Sequence, residues 1–295
     1  MRVFVTGASG FIGSAIVQEL ITAGHEVLGL ARSDKAAAAV AAAGAQVHRG
    51  DLDDLESLRQ GASQCDGVIH TAFNHDFSKF KDNCEADRRV IEAMGTVLQG
   101  SDRPLVVTSG TGLLPSGRLS TEADMPDPHF PRVASEQAAA ALAERGVRVS
   151  VLRLPPSVHG EGDHGFVPML IALAREKGVA AYVGEGLNHW ATVHRFDAAR
   201  LYRLVLEKGA GGAHYHGVAE EGVLFKDITA IIARRLNLPL VSKSAEEAAA
   251  HFGWFAHFTT IDNLASSQQT REQLGWQPTQ LSLLADLDHD YYFQQ

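Results

Sequence analysis

A doubly wound α/β fold with a parallel sheet and a smaller C-terminal lobe is predicted by three observations. The apolar run Val3-Phe4-Val5 leads directly into Thr6-Gly7-Ala8-Ser9-Gly10-Phe11-Ile12-Gly13, with glycines at three-residue intervals. That reads as a strand, a glycine turn and a helix start. Strand-like and helix-like segments then alternate through the first half of the chain, a pattern that favours right-handed crossovers between parallel strands. Finally, 295 residues at 45% hydrophobic content are enough for a substantial core.

The elements follow in order. Phe11 to Thr22 has apolar residues at helical spacing and stops at Ala23-Gly24. A strand is expected at Glu26 to Leu30, an alanine-rich helix at Lys35 to Ala43 and a short strand at Gln46-Val47-His48. A helix at Asp54 to Gln60 and a strand at Gly67 to Thr71 come next. Strands at Pro104 to Thr108 and Val147 to Leu152 are separated by long helices near Asp82 to Gln99 and Arg132 to Arg145. Beyond Pro155 the pattern loosens into a Gly/Pro/His-rich loop. It is followed by helices at Phe166 to Lys177, Asp197 to Glu207, Phe225 to Leu236, Ser244 to Phe252 and Thr270 to Leu274, with a short strand around Tyr182. The expected division is a nucleotide-binding domain over 1–155 and a mainly substrate-binding lobe over 156–295, with some segments of the latter returning to the core.

A formal net charge of -9 provides no general attraction for nucleic acid or anionic lipid. The two cysteines, Cys65 and Cys84, form no disulfide framework, and no Cys/His cluster has zinc spacing, so no metal is expected. With a strand at the N-terminus, no signal-like segment and no apolar run of membrane-spanning length, the expected location is cytoplasmic.

The glycine turn brings backbone N–H groups and a positive helix end to a point that no side chain blocks, as a pyrophosphate requires. The T-G-x-x-G-x-x-G spacing in Thr6 to Gly13 resembles the extended and atypical branches of the short-chain dehydrogenase/reductase superfamily, whose members have a Rossmann fold. The closing segment Arg271-Glu272-Gln273-Leu274-Gly275-Trp276-Gln277-Pro278 resembles the extended family's R-x-x-L-G-W-x-P signature, so the resemblance spans the full chain. It implies cofactor contacts from Thr6, Gly7, Ser9, Gly10, Phe11, Ile12 and Gly13. In a dinucleotide fold the end of the second strand meets the adenosine ribose, where arginine accommodates a 2′-phosphate and a carboxylate favours NAD. Arg32 and Ser33 stand there, so NADP(H) is the expected cofactor, unless Arg32 is only a solvated loop residue. Asp51 and Leu52 occupy the superfamily's adenine-holding position, although Asp51 equally suits capping of the next helix. Thr71, Ala72 and Phe73 resemble the small-residue segment against which the cofactor lies. Asp87, on the helix before the fifth strand, and Thr108 and Pro155, after the fifth and sixth strands, complete the implied contacts.

The family's catalytic module is broken here. Aligning Pro131-Arg132-Val133-Ala134-Ser135-Glu136 with P-Y-x-x-S-K places Arg132 at the tyrosine and Glu136 at the lysine, and no Tyr-x-x-x-Lys pair occurs elsewhere. Gly110 takes the strict serine position, with Ser109 and Thr111 beside it as candidate hydroxyls; satisfying strand-end backbone groups is their alternative role. Asp87 is an acidic replacement for the helix asparagine. His159 replaces the tyrosine of the segment beside the nicotinamide, and its imidazole can exchange protons near neutral pH.

These residues point to an NADP(H)-dependent oxidoreductase acting on a small carbonyl or alcohol, with Arg132, Ser109, Thr111 or a histidine replacing the tyrosine. A non-catalytic NADP-binding sensor and a redox-neutral, nucleotide-sugar-type epimerase/dehydratase are the alternatives. Helices 83–98 and 132–145 correspond to the superfamily's usual dimer pair, so a homodimer is expected.

Overall fold

The computed structural model describes residues 1–294. The first half of the chain forms β1 (Arg2–Thr6), α1 (Phe11–Thr22), β2 (Glu26–Ala31), α2 (Asp34–Ala42), β3 (Gln46–Arg49), α3 (Leu55–Ser63), β4 (Gly67–His70), α4 (Phe80–Leu98) and β5 (Leu105–Gly110). Next come β6 (Leu119–Ser120), α5 (Ala134–Glu144), β7 (Val149–Leu154), β8 (Ser157–His159), α6 (Phe166–Lys177), β9 (Ala180–Val183), β10 (His189–His194) and α7 (Arg195–Lys208). The remainder forms β11 (His214–His216), β12 (Glu220–Leu224), α8 (Phe225–Leu236), β13 (Leu240–Lys243), α9 (Ala245–Phe252), α10 (Ala256–Thr260), β14 (Leu264–Ala265), α11 (Gln268–Leu274) and α12 (Leu283–Leu287).

Seven parallel strands make the central sheet in the order β11-β7-β5-β4-β1-β2-β3. The order reverses at β1, between β2 and β4, and such a switch point leaves a crevice at the strands' carboxyl ends. On one face α1 and α7 cover Val3, Val5, Ile69 and Leu152; on the other, α3, α4 and α5 cover Phe4, Val68, Leu105 and Val107. Both faces are therefore buried, which is why β1 and β5 read as continuous apolar runs.

The expected strand at Val147 to Leu152 is Val149–Leu154, because Val147 closes the turn after α5 and Arg153 is drawn inside by a carboxylate. The expected helix at Arg132 to Arg145 divides into a 3₁₀ turn, Pro131–Val133, and α5. Residues 195–218 return to the sheet: α7 packs on α1, and β11 pairs with β7. The separate lobe core gathers α6, α8, α9 and α12 around Trp190, Phe225, Phe252 and Leu283. Arg271, the first residue of the closing signature, donates to the Val218 and Ala219 carbonyls and lies over Trp276. The Trp276 indole donates to Asp197 O at 3.0 Å, so this segment fastens the C-terminus to α7.

Candidate cofactor and active site

The β1–α1 turn fits a dinucleotide on steric grounds. Gly7 has φ +71°, a left-handed conformation, and an added Cβ would stand 2.7 Å from Thr71 Oγ1. A Cβ on Gly13 would fall 2.0 Å from Gly7 O, so only glycine lets α1 pack this close to the turn. Gly10 precedes α1 with no side-chain cap and no acidic residue in the first turn. The leading N–H groups of α1 and its positive end thus remain available to an anion. Ser9 and Gly10 are exposed, and Phe11 and Ile12 half-buried, at that rim.

Arg32 lies exposed at the end of β2. Ser33 caps α2 by accepting from Ala36 N at 3.2 Å, which leaves its O–H to donate outward. Nearby, Arg49 donates to Ser33 O and Asp34. The capping role considered for Asp51 belongs instead to Asp54, which accepts from Ser57 N at 3.0 Å. Asp51 accepts from Asp53 N in a tight turn, and Leu52 packs against the buried core beside it.

Behind the turn runs a chain of hydrogen bonds. Ala72 N donates to Thr6 Oγ1, and Thr6 Oγ1 lies 2.7 Å from His70 Nδ1. His70 Nε2 reaches Asp87 Oδ1 at 2.9 Å. Asp87 Oδ2 accepts from Ser135 Oγ and, at 2.8 Å, from Arg132 Nη1. Arg132 Nη2 donates to Thr108 O at 3.0 Å, and the guanidinium carbon lies 4.3 Å from the Phe73 ring centre. Burial alone would raise the Asp87 pKa, but the charges of His70 and Arg132 and the hydrogen bonds from His70 and Ser135 lower it to about 2. Asp87 is 4% exposed, so it acts on a ligand only through Arg132 and the Thr6–Ala72 segment. Thr108 spends its hydroxyl on His70 O and on contact with Tyr202. Thr71 donates to Thr6 O, and Pro155 is buried just beyond β7.

The catalytic candidates divide. Arg132 is partly accessible, its side chain 14% exposed. Glu136, at the lysine position, is instead clamped by fully buried Arg153, whose Nε and Nη2 donate at 2.9 and 2.8 Å. Ser109 Oγ donates to Glu136 at 2.6 Å. Burial raises the Glu136 pKa, but the Arg153 bonds and charge, with Ser109, bring it below the ordinary value. Thr111 is fully buried and donates to Asn263, which donates back to Thr111 O. His159 is equally buried, with Nδ1 2.8 Å from Asp286. Sequence reasoning singled out Arg132, Glu136 and Asp87 but missed Arg153, the partner of Glu136, and His70, the partner of Asp87, because these lie on strands whose pairing brings distant segments together.

Aromatic side chains extend from Arg132 to the lobe. Phe80 meets Phe73 and Phe130, while Phe77 stacks on Trp254 at 5.0 Å and meets Phe258 at 5.7 Å. Exposed His75 stands edge-on to Phe73. Across the glycine turn, His164 packs edge-on to Phe11. Among the described residues, no group of three or more His, Cys, Asp or Glu side chains is placed to hold a metal, and no helix is long and apolar enough to cross a membrane.

Comparison with known proteins shows the family and the fold. The chain is 54% identical to an uncharacterized Schizosaccharomyces pombe protein over 99% of this chain and 100% of that protein. It is 31% identical to a Stigmatella aurantiaca 4-hydroxy-2-methyl-3-oxo-4-farnesyl-3,4-dihydroquinoline-1-oxide ketoreductase, covering 86% of this chain and 80% of that enzyme. The fold matches that of the Streptomyces venezuelae dTDP-glucose 4,6-dehydratase DesIV, solved with NAD bound, with a TM-score of 0.79 at 21% identity over 100% of this chain and 97% of that one. Residues 3–218 match one family throughout, and the chain belongs to the NAD dependent epimerase/dehydratase family, the extended branch of the short-chain dehydrogenases/reductases.

Proposed function

We propose that this protein is a cytoplasmic NADP(H)-dependent oxidoreductase that moves a hydride between its cofactor and a small carbonyl or alcohol. The observation that carries the reading is Arg132: a fixed guanidinium at the tyrosine position, anchored on Asp87 and Thr108 and facing an aromatic wall. The hydride itself is supplied by the bound nicotinamide.

Two Arg132 nitrogens are tied back to the protein, yet five N–H groups exist on the fork, leaving donors for a substrate oxygen. Such donors stabilise the negative charge that develops on a carbonyl oxygen as hydride arrives. A guanidinium does not give up its proton near neutral pH, so Arg132 holds the oxygen as an anion while a hydroxyl or water supplies the proton. An epimerase or dehydratase needs a group that removes and returns protons, and this favours the reductase reading over those alternatives. Phe73, Phe77, Phe80, Phe130 and Trp254 suit an apolar carbonyl compound better than a sugar, and the ketoreductase relative supports the same class.

The NADP(H) preference is supported by Arg32 and Ser33, which offer a cation and a free O–H at the end of β2. A homodimer through α4 and α5, which pack side by side, completes the proposal; a monomer by light scattering would remove that part. Consumption of NADPH dependent on an apolar ketone tests the activity. Tight NADPH binding without turnover across a broad carbonyl panel would instead indicate a sensor.

A further inference from the structure

Several guanidinium groups are neutralised by carboxylates: Arg132 by Asp87, Arg153 by Glu136, Arg203 by Glu19 and Glu207, and Arg235 by Asp288 and Asp290. Arg195 is different. Its Nε is buried with no hydrogen-bond partner. It is also the first residue of α7, where the helix dipole disfavours a cation. An unsatisfied buried N–H and a cation at a positive helix end are both unfavourable, and an anion seated against the guanidinium would relieve both.

The surroundings indicate which anion. The Arg195 stem lies along Gly160, where an added Cβ would stand 3.3 Å from Cγ and 3.4 Å from Cδ. Nη1 would be 3.7 Å from a Cβ on Gly162, so the loop leaves room for the arginine to pass. The guanidinium carbon ends 5.1 Å from the centre of the Phe11 ring. Phe11 is the first residue of α1, whose uncapped N–H groups form the anion-binding end of the glycine turn. The guanidinium also lies 4.7 Å from the centre of the Phe196 ring, and its contact with the Phe11 side chain brings this cation from a distant part of the chain beside the residue that opens α1.

We propose that Arg195 is a second clamp on the cofactor's diphosphate, gripping it from α7 while the α1 N–H groups hold the other side. The proposal rests on the dinucleotide reading above. Diphosphate also occurs in nucleotide-sugar substrates, so the test has to separate the two sources.

The experiment is an equilibrium titration of the full-length protein with NADPH, NADH and UDP, read by reduced-nicotinamide fluorescence and by calorimetry. Wild type, Arg195→Met, Arg195→Lys and Arg32→Ala are compared. Methionine keeps the stem packing beside Gly160 and removes the guanidinium charge together with its N–H donors, and thermal melting without ligand verifies the fold. Charge-assisted bonds of this kind predict that Arg195→Met weakens NADPH and NADH alike by about tenfold to a hundredfold. Arg195→Lys should recover part of the loss, and Arg32→Ala should weaken NADPH alone. Unchanged dinucleotide affinity in a folded Arg195→Met variant overturns the proposal. So does a loss confined to UDP, which would assign the arginine to substrate phosphate. If wild type binds neither dinucleotide, the dinucleotide reading fails first and the clamp falls with it.

Discussion

Asp87→Asn removes the charge at the centre of the Thr6–His70–Asp87–Arg132 chain while keeping its shape. Asp87 has a folded pKa of about 2 against an ordinary 3.8, so its ionisation contributes about 2 kcal/mol to stability at neutral pH. Part of the same attraction seen from Arg132 gives a second figure, because removing one partner of a buried pair costs about 3–5 kcal/mol. The expected loss at pH 7 is therefore about 2–5 kcal/mol by urea denaturation. Because the folded pKa is depressed, this stabilisation is present above the unfolded value and disappears as the pH falls through the folded value. Roughly half of the ionisation contribution is gone by pH 3, so the gap between wild type and variant should narrow from pH 7 to pH 3. A variant within about 0.5 kcal/mol of wild type at pH 7, the usual range of inconsequential surface changes, would refute the reasoning. A gap that widens on acidification would refute it as well.

Other consequences can be checked in the same preparation. Arg132→Met should lower kcat for ketone reduction by about a hundredfold to a thousandfold, the cost of removing an oxyanion donor, with NADPH affinity little changed in a fluorescence titration. Gly13→Ala should destabilise by about 1–3 kcal/mol in thermal melts and weaken NADPH binding. The clash with Gly7 O reverses alanine's usual advantage in a helix. Restoring the family's pair with Arg132→Tyr and Glu136→Lys together should not raise turnover and should lower Tm, because buried Arg153 would then face a second cation. An active, equally stable double variant would show that the Arg153–Glu136 pair is dispensable.

The glycine turn, the first strands and the missing tyrosine and lysine are legible in the sequence because each depends on local spacing. Thr6 to Gly13 needs nothing beyond its own backbone to specify a strand, turn and helix. By contrast β11, His214–His216, has three residues between glycines and no apolar run; its pairing with β7 is decided by tertiary packing. β8 lies within the stretch that reads as a Gly/Pro/His-rich loop and β10 in the unassigned stretch between Tyr182 and Asp197, and their parallel pairing positions His159 and His194. The expectation that α7 begins at Asp197 placed Arg195 in a loop. In the fold, Arg195 opens the helix and sits over Phe11, a contact that spans most of the chain and leaves no periodic trace. Glu136 is found by alignment, but its partner Arg153 reads as the first residue beyond the strand until the pairing of β5 with β7 brings it beneath α5.

The measurement that tests the account most directly is a titration of purified protein with NADPH and NADH, followed in the same cuvette by adding a panel of apolar ketones while reduced-nicotinamide absorbance is recorded. The account predicts tighter binding of NADPH, ketone-dependent decay in wild type and near-complete loss of that decay in Arg132→Met. Decay that persists in the Arg132→Met variant would contradict the central claim that this guanidinium holds the substrate oxygen as the hydride arrives.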